Sequence, residues 1–171
     1  MDKSNKKKRK IHIIVFIVYL AFLIYFLFFS DLLGRKIIYD EYRYNIKPFR
    51  EIERYFNYAK DGGWLPFLVN VVGNIIMFAP FGYLFTALME KKQTTVITGF
   101  IDTFLITLVL CLLVELCQLL SKVGVFDVDD IILNVFGSLL GFVLHIPAGC
   151  SRGQFRGRSQ RVRGVSERKK K

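Results

Sequence analysis

Four long blocks of apolar residues constrain this chain more than anything else in it. They cover residues 11–30, 67–89, 94–121 and 128–146. Each reaches the roughly 17–25 residues that a helix needs to cross a bilayer core. A soluble domain spreads its apolar residues periodically around one core, whereas here they are run together. In lipid every backbone N–H and C=O has to be satisfied within its own segment, so blocks of this length form helices. The expected fold is all-α: a polytopic membrane protein with four transmembrane helices and an external amphipathic helix between the first two.

The 171 residues carry a formal charge of +11, a balance that often marks nucleic-acid binding. Here the Lys and Arg sit in tails and turns flanking the apolar blocks, so the charge reads as topogenic and no nucleic-acid partner is expected. Residues 1–10, MDKSNKKKRK, read as a basic unstructured tail, 11–147 as the transmembrane domain, and the Arg-, Gly- and Ser-rich 148–171 as a basic disordered tail. The first block exceeds the ~7–15 residues of a signal-peptide core, and no small-x-small site follows Phe29, which makes it an uncleaved span. With four spans both tails share a side. That side carries 17 Lys and Arg against 8 on the other, and the positive-inside rule then places both termini in the cytoplasm. Three cysteines without CxxC spacing support neither a disulfide framework nor a zinc site. Cys111 and Cys117 read as small buried hydrophobes.

The one sizeable hydrophilic connection is 31–66. It holds a tyrosine-rich charged piece and then FREIERYFNYAKDGG, in which Phe49, Ile52, Phe56 and Ala59 line one side. That is an amphipathic helix, lying on the membrane surface or serving as a plain surface linker. Gly62 and Gly63 end it, and Trp64 suits the interface. In the second span Pro80 is expected to kink the helix. Pro147 and Gly149 are expected to close the fourth.

The topology gives the polar residues a common level. Asn70 and Asn74 lie in the outer half of the second span, Glu115 and Gln118 in the outer turns of the third. Asp127, Asp129, Asp130 and Asn134 lie at the mouth of the fourth, with Arg43 and Asn45 in the external connection. If the fourth helix starts near Val128, Asp130 and Asn134 fall on one face at i and i+4. Gly137 and Gly141 continue that side and let another backbone approach closely. Charged and amide groups in hydrocarbon demand partners. These residues are therefore candidate ligand-binding groups of a polar pocket open to the outside. Three readings of them stand: structural glue within the bundle, a site for an amphiphile arriving from the outer leaflet, and hydrolysis with Glu115, Asp129 or Asp130 as acid/base or as ligands of a hard cation. No HExxH or GxSxG occurs, and His12 and His145 lie at the cytoplasmic ends of their spans. The inventory leans away from an enzyme, and no cofactor or metal is expected.

These residues also carry a resemblance. Asn70, Gly73, Asn74, Phe78, Pro80 and Gly82 match the Asn-x-x-Gly-Asn…Phe-x-Pro-x-Gly pattern of VanZ-like membrane proteins. Glu115 and Gln118 match that family's Glu-x-x-Gln pair, and Asn45, Pro48 and Phe49 its Asn-x-x-Pro-Phe element. Phe126, Asp127, Val128, Asp129, Asp130, Asn134 and Gly137 match its Phe-Asp-Val-Asp-Asp…Asn-x-x-Gly signature. Where members often carry an arginine before the aspartates this chain has Lys122, which keeps the charge and loses bidentate pairing. The resemblance spans about residues 42–142. It implies a multi-pass protein of the bacterial cytoplasmic membrane, associated with resistance to teicoplanin and related lipoglycopeptides. It implies no catalytic roles. The partners it suggests are membrane lipid and a lipoglycopeptide antibiotic or a cell-wall lipid precursor.

Overall fold

A computed structural model describes residues 3–29, 41–89, 95–122 and 124–150. In chain order these form helix α1 (Lys3–Phe29), strand β1 (Tyr44–Asn45) and helix α2 (Arg50–Gly62). A single helical turn, α3 (Leu65–Phe67), then leads through a π-helical turn at Leu68–Val72 into α4 (Gly73–Met89). Helix α5 (Val96–Ser121), strand β2 (Phe126–Asp127) and helix α6 (Val128–Cys150) follow. Four stretches are long and apolar enough to cross a membrane: Arg9–Phe28, Leu65–Met89, Val96–Ser121 and Val128–Ile146. The chain is an all-α, multi-pass membrane protein. Its large exposed hydrophobic side chains, such as Ile76, Ile97, Leu120 and Leu144, ring the bundle as a lipid-facing surface does.

Contacts fix the direction of each span. Asn74 meets Asp130 and Tyr83 packs on His145, so α4 and α6 run parallel. Glu115 meets Asp127, Thr107 meets Ser138 and Phe100 packs on Phe142, so α5 runs against α6. On α1, Tyr19 donates to the Met77 carbonyl and Phe16 packs on Phe81, which sets α1 against α4. The end of α1, residues 41–49, the start of α4, the end of α5 and the start of α6 therefore share one end of the bundle.

Helices α4 and α6 pack closest, and glycines make that possible. A Cβ on Gly137 would lie 2.3 Å from the Ile75 carbonyl oxygen, one on Gly141 1.8 Å from that of Ala79, and one on Gly82 1.9 Å from that of Ser138. Lipid offers little hydrophobic drive for helix pairing, so close backbone approach and interhelical hydrogen bonds hold such bundles. The same interior carries hydroxyls: Thr107 and Ser138 lie 2.8 Å apart, Thr86 and Thr103 3.4 Å apart, and all four are fully buried.

Several expectations need correction. Helix α1 begins at Lys3, inside the basic segment expected to be unstructured; lysine is a good helix former and extends the apolar helix behind it. Helix α6 continues through Pro147 and Gly149 to Cys150, where a proline in the last turn removes one donor without breaking the ladder before it. Phe49 does not join the buried side of α2. It is the N-cap, at φ 66° in the left-handed region, and its ring is exposed. Gly62 and Gly63 end α2 as expected, Gly63 with φ 95°. The 90–94 turn, residues 30–40 and the tail 151–171 lie outside the described residues.

Candidate functional site

At the shared end, two loops far apart in sequence are laced together. Strands β1 and β2 pair in parallel, Tyr44 with Phe126 and Asn45 with Asp127. The Phe126 amide donates to the Arg43 carbonyl at 3.0 Å, and the buried Asn45 donates its Nδ2 to Asp127 Oδ1 at 3.1 Å. Two-residue strands are too short to show alternation in a sequence, and nothing in the spacing pointed to them. Arg43 enters this arrangement through its backbone, Asn45 through its side chain.

Asp129 is fully buried and accepts three backbone amides. Its Oδ1 accepts the Phe49 amide, and its Oδ2 accepts those of Glu51 at 2.8 Å and Ile52 at 3.2 Å. These are orphan donors at the start of α2, whose own N-cap residue offers no side-chain acceptor. A carboxylate at that position also meets the positive end of the helix dipole. Asp129 thus caps, from α6, a helix about 80 residues earlier. Asp127 does the same locally, accepting the Asp129 amide at 2.9 Å. Glu115, 2% exposed, accepts the Asp127 amide at 2.9 Å. Gln118 donates its Nε2 to the Leu27 carbonyl at 3.0 Å and ties α5 to α1.

Deeper in the bundle the groups face each other across α4, α5 and α6. Asn70 donates to the Pro66 carbonyl at 2.9 Å, at the π-helical turn. Asn74 donates to the Asn70 carbonyl at 2.9 Å and to Asp130 at 2.8 Å. The Cys111 thiol lies beside Asn134 and within electrostatic reach of Glu115 and Asp130, and Tyr55 of α2 lies within reach of Asp130. Tyr55 and Cys111 were not among the candidate ligand-binding residues, Cys111 having read as a small buried hydrophobe. Cys111 could have been found: Thr103, Thr107, Cys111 and Glu115 follow at steps of four and lie on one helix face. Among the described residues no group of three or more His, Cys, Asp and Glu is arranged to hold a metal ion.

Burial is the main influence on Asp127, and it raises the carboxyl above its ordinary 3.8, opposed by the bonds from the Asp129 amide and Asn45. Burial likewise pushes the Tyr55 phenol up. With its acid raised on folding, Asp127 keeps a proton that the unfolded chain has already lost once pH passes 3.8. Its contribution to stability is therefore present below that point and is lost as pH rises to the raised value. Asp127→Asn keeps an acceptor for both donors and removes the titration. Unfolding titrations of the two proteins are expected to show wild type losing stability relative to Asp127→Asn across that window. Parallel profiles would refute a desolvated carboxyl here.

A family model described as VanZ/LLP1 matches residues 16–148. The chain belongs to that family. It is also 33% identical over 75 residues to Protein VanZ of Enterococcus faecium, an alignment covering 44% of this chain and 43% of that protein. No solved structure matches. The VanZ-like segments Asn45–Phe49, Asn70–Gly82, Glu115–Gln118 and Phe126–Gly137 fall inside the family match. Four of their pairings join the polar end directly: Asn45 to Asp127, Phe49 to Asp129, Asn74 to Asp130 and Glu115 to Asp127. A fifth, Gly137 against Ile75, brings α6 and α4 together behind them.

Proposed function

We propose that this VanZ-like protein resides in the bacterial cytoplasmic membrane with both termini in the cytoplasm. Its polar end then faces outward, engages an amphiphilic ligand at the outer leaflet, and so contributes to resistance against teicoplanin-type lipoglycopeptides. The bias of Lys and Arg supports the orientation, and the kinship with Protein VanZ of Enterococcus faecium supports the resistance role. The observation that carries the site is Asp130. It sits half-buried at the mouth of α6, and Asn74 donates to it from α4. In this reading Asp130, Asn74, Asn134 and Asn70 face the ligand. Asp127, Asp129, Glu115, Gln118, Asn45 and Arg43 hold the frame around them.

The reading is tested by teicoplanin susceptibility of a sensitive Gram-positive host expressing wild type, Asp130→Asn or Glu115→Gln at matched membrane levels. Wild type is expected to raise the inhibitory concentration and Asp130→Asn to lose most of that protection. Glu115→Gln keeps an oxygen for the Asp127 amide and is expected to protect. Loss of protection in Glu115→Gln alone would favour hydrolysis of a lipid-linked envelope substrate, with Glu115 as acid or base. Absence of protection by wild type would end the resistance reading.

A further inference from the structure

Four large apolar or aromatic side chains stand exposed in the connection that leads into α2. Tyr42, Tyr44, Ile46 and Phe49 are each 58–66% exposed. Strand β1 sets part of this arrangement: Asn45 turns inward to Asp127, so its neighbours Tyr44 and Ile46 take the opposite side. Phe49 joins them because its left-handed backbone takes it out of the register of α2. Basic residues are interleaved. Arg43, Lys47 and Arg50 are exposed in the same stretch, against one exposed acid, Glu41.

The height of this stretch is fixed at two points. Phe49 donates its amide to Asp129, in the first turn of α6. Tyr42 has the Lys122 ammonium 5.1 Å from its ring centroid, and Lys122 caps the end of α5. Helix α6 has 23 residues and α5 has 26, which at 1.5 Å per residue makes them about 34 Å and 39 Å long. Both exceed the roughly 30 Å hydrocarbon core and fall short of the roughly 40–45 Å that includes the headgroup layers. With the helices centred in the bilayer, their ends and the stretch tied to them lie among the headgroups. That layer suits this composition. Tyrosine rings collect there, apolar side chains reach the acyl boundary beneath, and lysine and arginine keep their charge at the surface. Cations outnumber acids, so the attraction is to negatively charged headgroups.

We propose that residues 42–50 form an interfacial anchor. Tyr44, Ile46 and Phe49 enter the leaflet at this end of the bundle, and Lys47 and Arg50 bind the headgroup of an anionic phospholipid. This surface is separate from Asp130 and Asn74, and the inference does not rest on a ligand reaching them.

The test uses the full chain in phosphatidylcholine nanodiscs. Trp64 is the protein's one tryptophan, so Ile46→Trp in a Trp64→Phe background places a single emitter in the stretch. Lipid brominated in the upper acyl chain quenches a tryptophan that enters the leaflet, and acrylamide quenches one left in water. Brominated phosphatidylcholine is expected to quench Ile46→Trp strongly and acrylamide weakly. At the same minor mole fraction, brominated phosphatidylglycerol is expected to quench at least ~2-fold more than brominated phosphatidylcholine. That advantage is expected to vanish at high salt and in Lys47→Gln/Arg50→Gln. Tyr44→Trp carries the same expectations if Ile46→Trp yields no folded protein. Quenching by acrylamide alone overturns the anchor. Protection from both quenchers means that protein, such as a second copy of the chain, covers the stretch, and overturns it as well. Equal quenching by the two brominated lipids overturns the anionic headgroup.

Discussion

Gly141→Val is expected to yield no folded protein from membranes. A Cβ at residue 141 would lie 1.8 Å from the Ala79 carbonyl oxygen and 2.8 Å from the Tyr83 amide nitrogen. Both are backbone atoms of α4, so no rotamer change relieves the contact and the whole helix has to move. Gly137 and Gly82 make equally close approaches along the same seam, and separating the helices at one point opens all three. Overpacking costs roughly 1–3 kcal/mol where side chains can yield. Here they cannot, and the loss is expected to exceed about 4 kcal/mol, the exceptional end for single substitutions. Gly73→Ala is the control, because the nearest atom to its Cβ is the Leu68 carbonyl oxygen at an ordinary 3.5 Å. It is expected to fold normally, with any change within about 1 kcal/mol, the size of the Gly-to-Ala helix preference. Monodisperse yield and thermal midpoint in mild detergent measure both. A well-behaved Gly141→Val protein would show that the α4–α6 approach is looser than these distances require.

The glycine seam was legible in the sequence because it follows from periodicity alone. Asp130, Asn134, Gly137 and Gly141 recur at helical spacing, and the structure turns Asp130, Gly137 and Gly141 toward α4. The four spans, the helix at residues 50–62 and the common level of the polar residues were legible for similar reasons, since hydropathy and charge are read residue by residue. Partners were not. Nothing near Phe49 announces that its amide will be taken by a carboxylate 80 positions away, and Phe49 looked like part of an apolar stripe because its spacing to Ile52 and Phe56 is right. Its left-handed backbone breaks that register, and the bonds to Asp129 hold it there. The π-helical turn at Leu68–Val72 was equally invisible, its residues being ordinary for a membrane helix. Sequence grouped the carboxylates at one end of the bundle and left open which of them the fold itself consumes.

That distinction makes Asp129 the informative residue. Asp129→Ala is expected to release the start of α2 while leaving the four spans assembled. The carboxylate accepts three amides, and hydrogen bonds to a charged group contribute about 1.5–3 kcal/mol each when buried, less than additively when shared. A loss of about 3 kcal/mol is therefore expected, felt at the first turn of α2, whose amides this carboxylate holds. The aromatic corner of Phe56, Trp64 and Phe67, with ring centroids 5.7–6.1 Å apart, anchors its other end and limits the opening to the first turns. Hydrogen exchange of the Phe49, Glu51 and Ile52 amides reads this directly, as does trypsin cleavage after Arg50 and Arg54. Both are expected to accelerate strongly in Asp129→Ala and partially in Asp129→Asn, which keeps one acceptor oxygen. If instead exchange at these amides is unchanged while teicoplanin protection disappears, Asp129 is a ligand group and the cap is incidental. If exchange rises and protection disappears together, α2 is the element that the aspartate serves, and the covering of the polar end is itself part of the activity. The exchange measurement separates a residue that touches the ligand from one that positions the helix above it, which susceptibility alone cannot do.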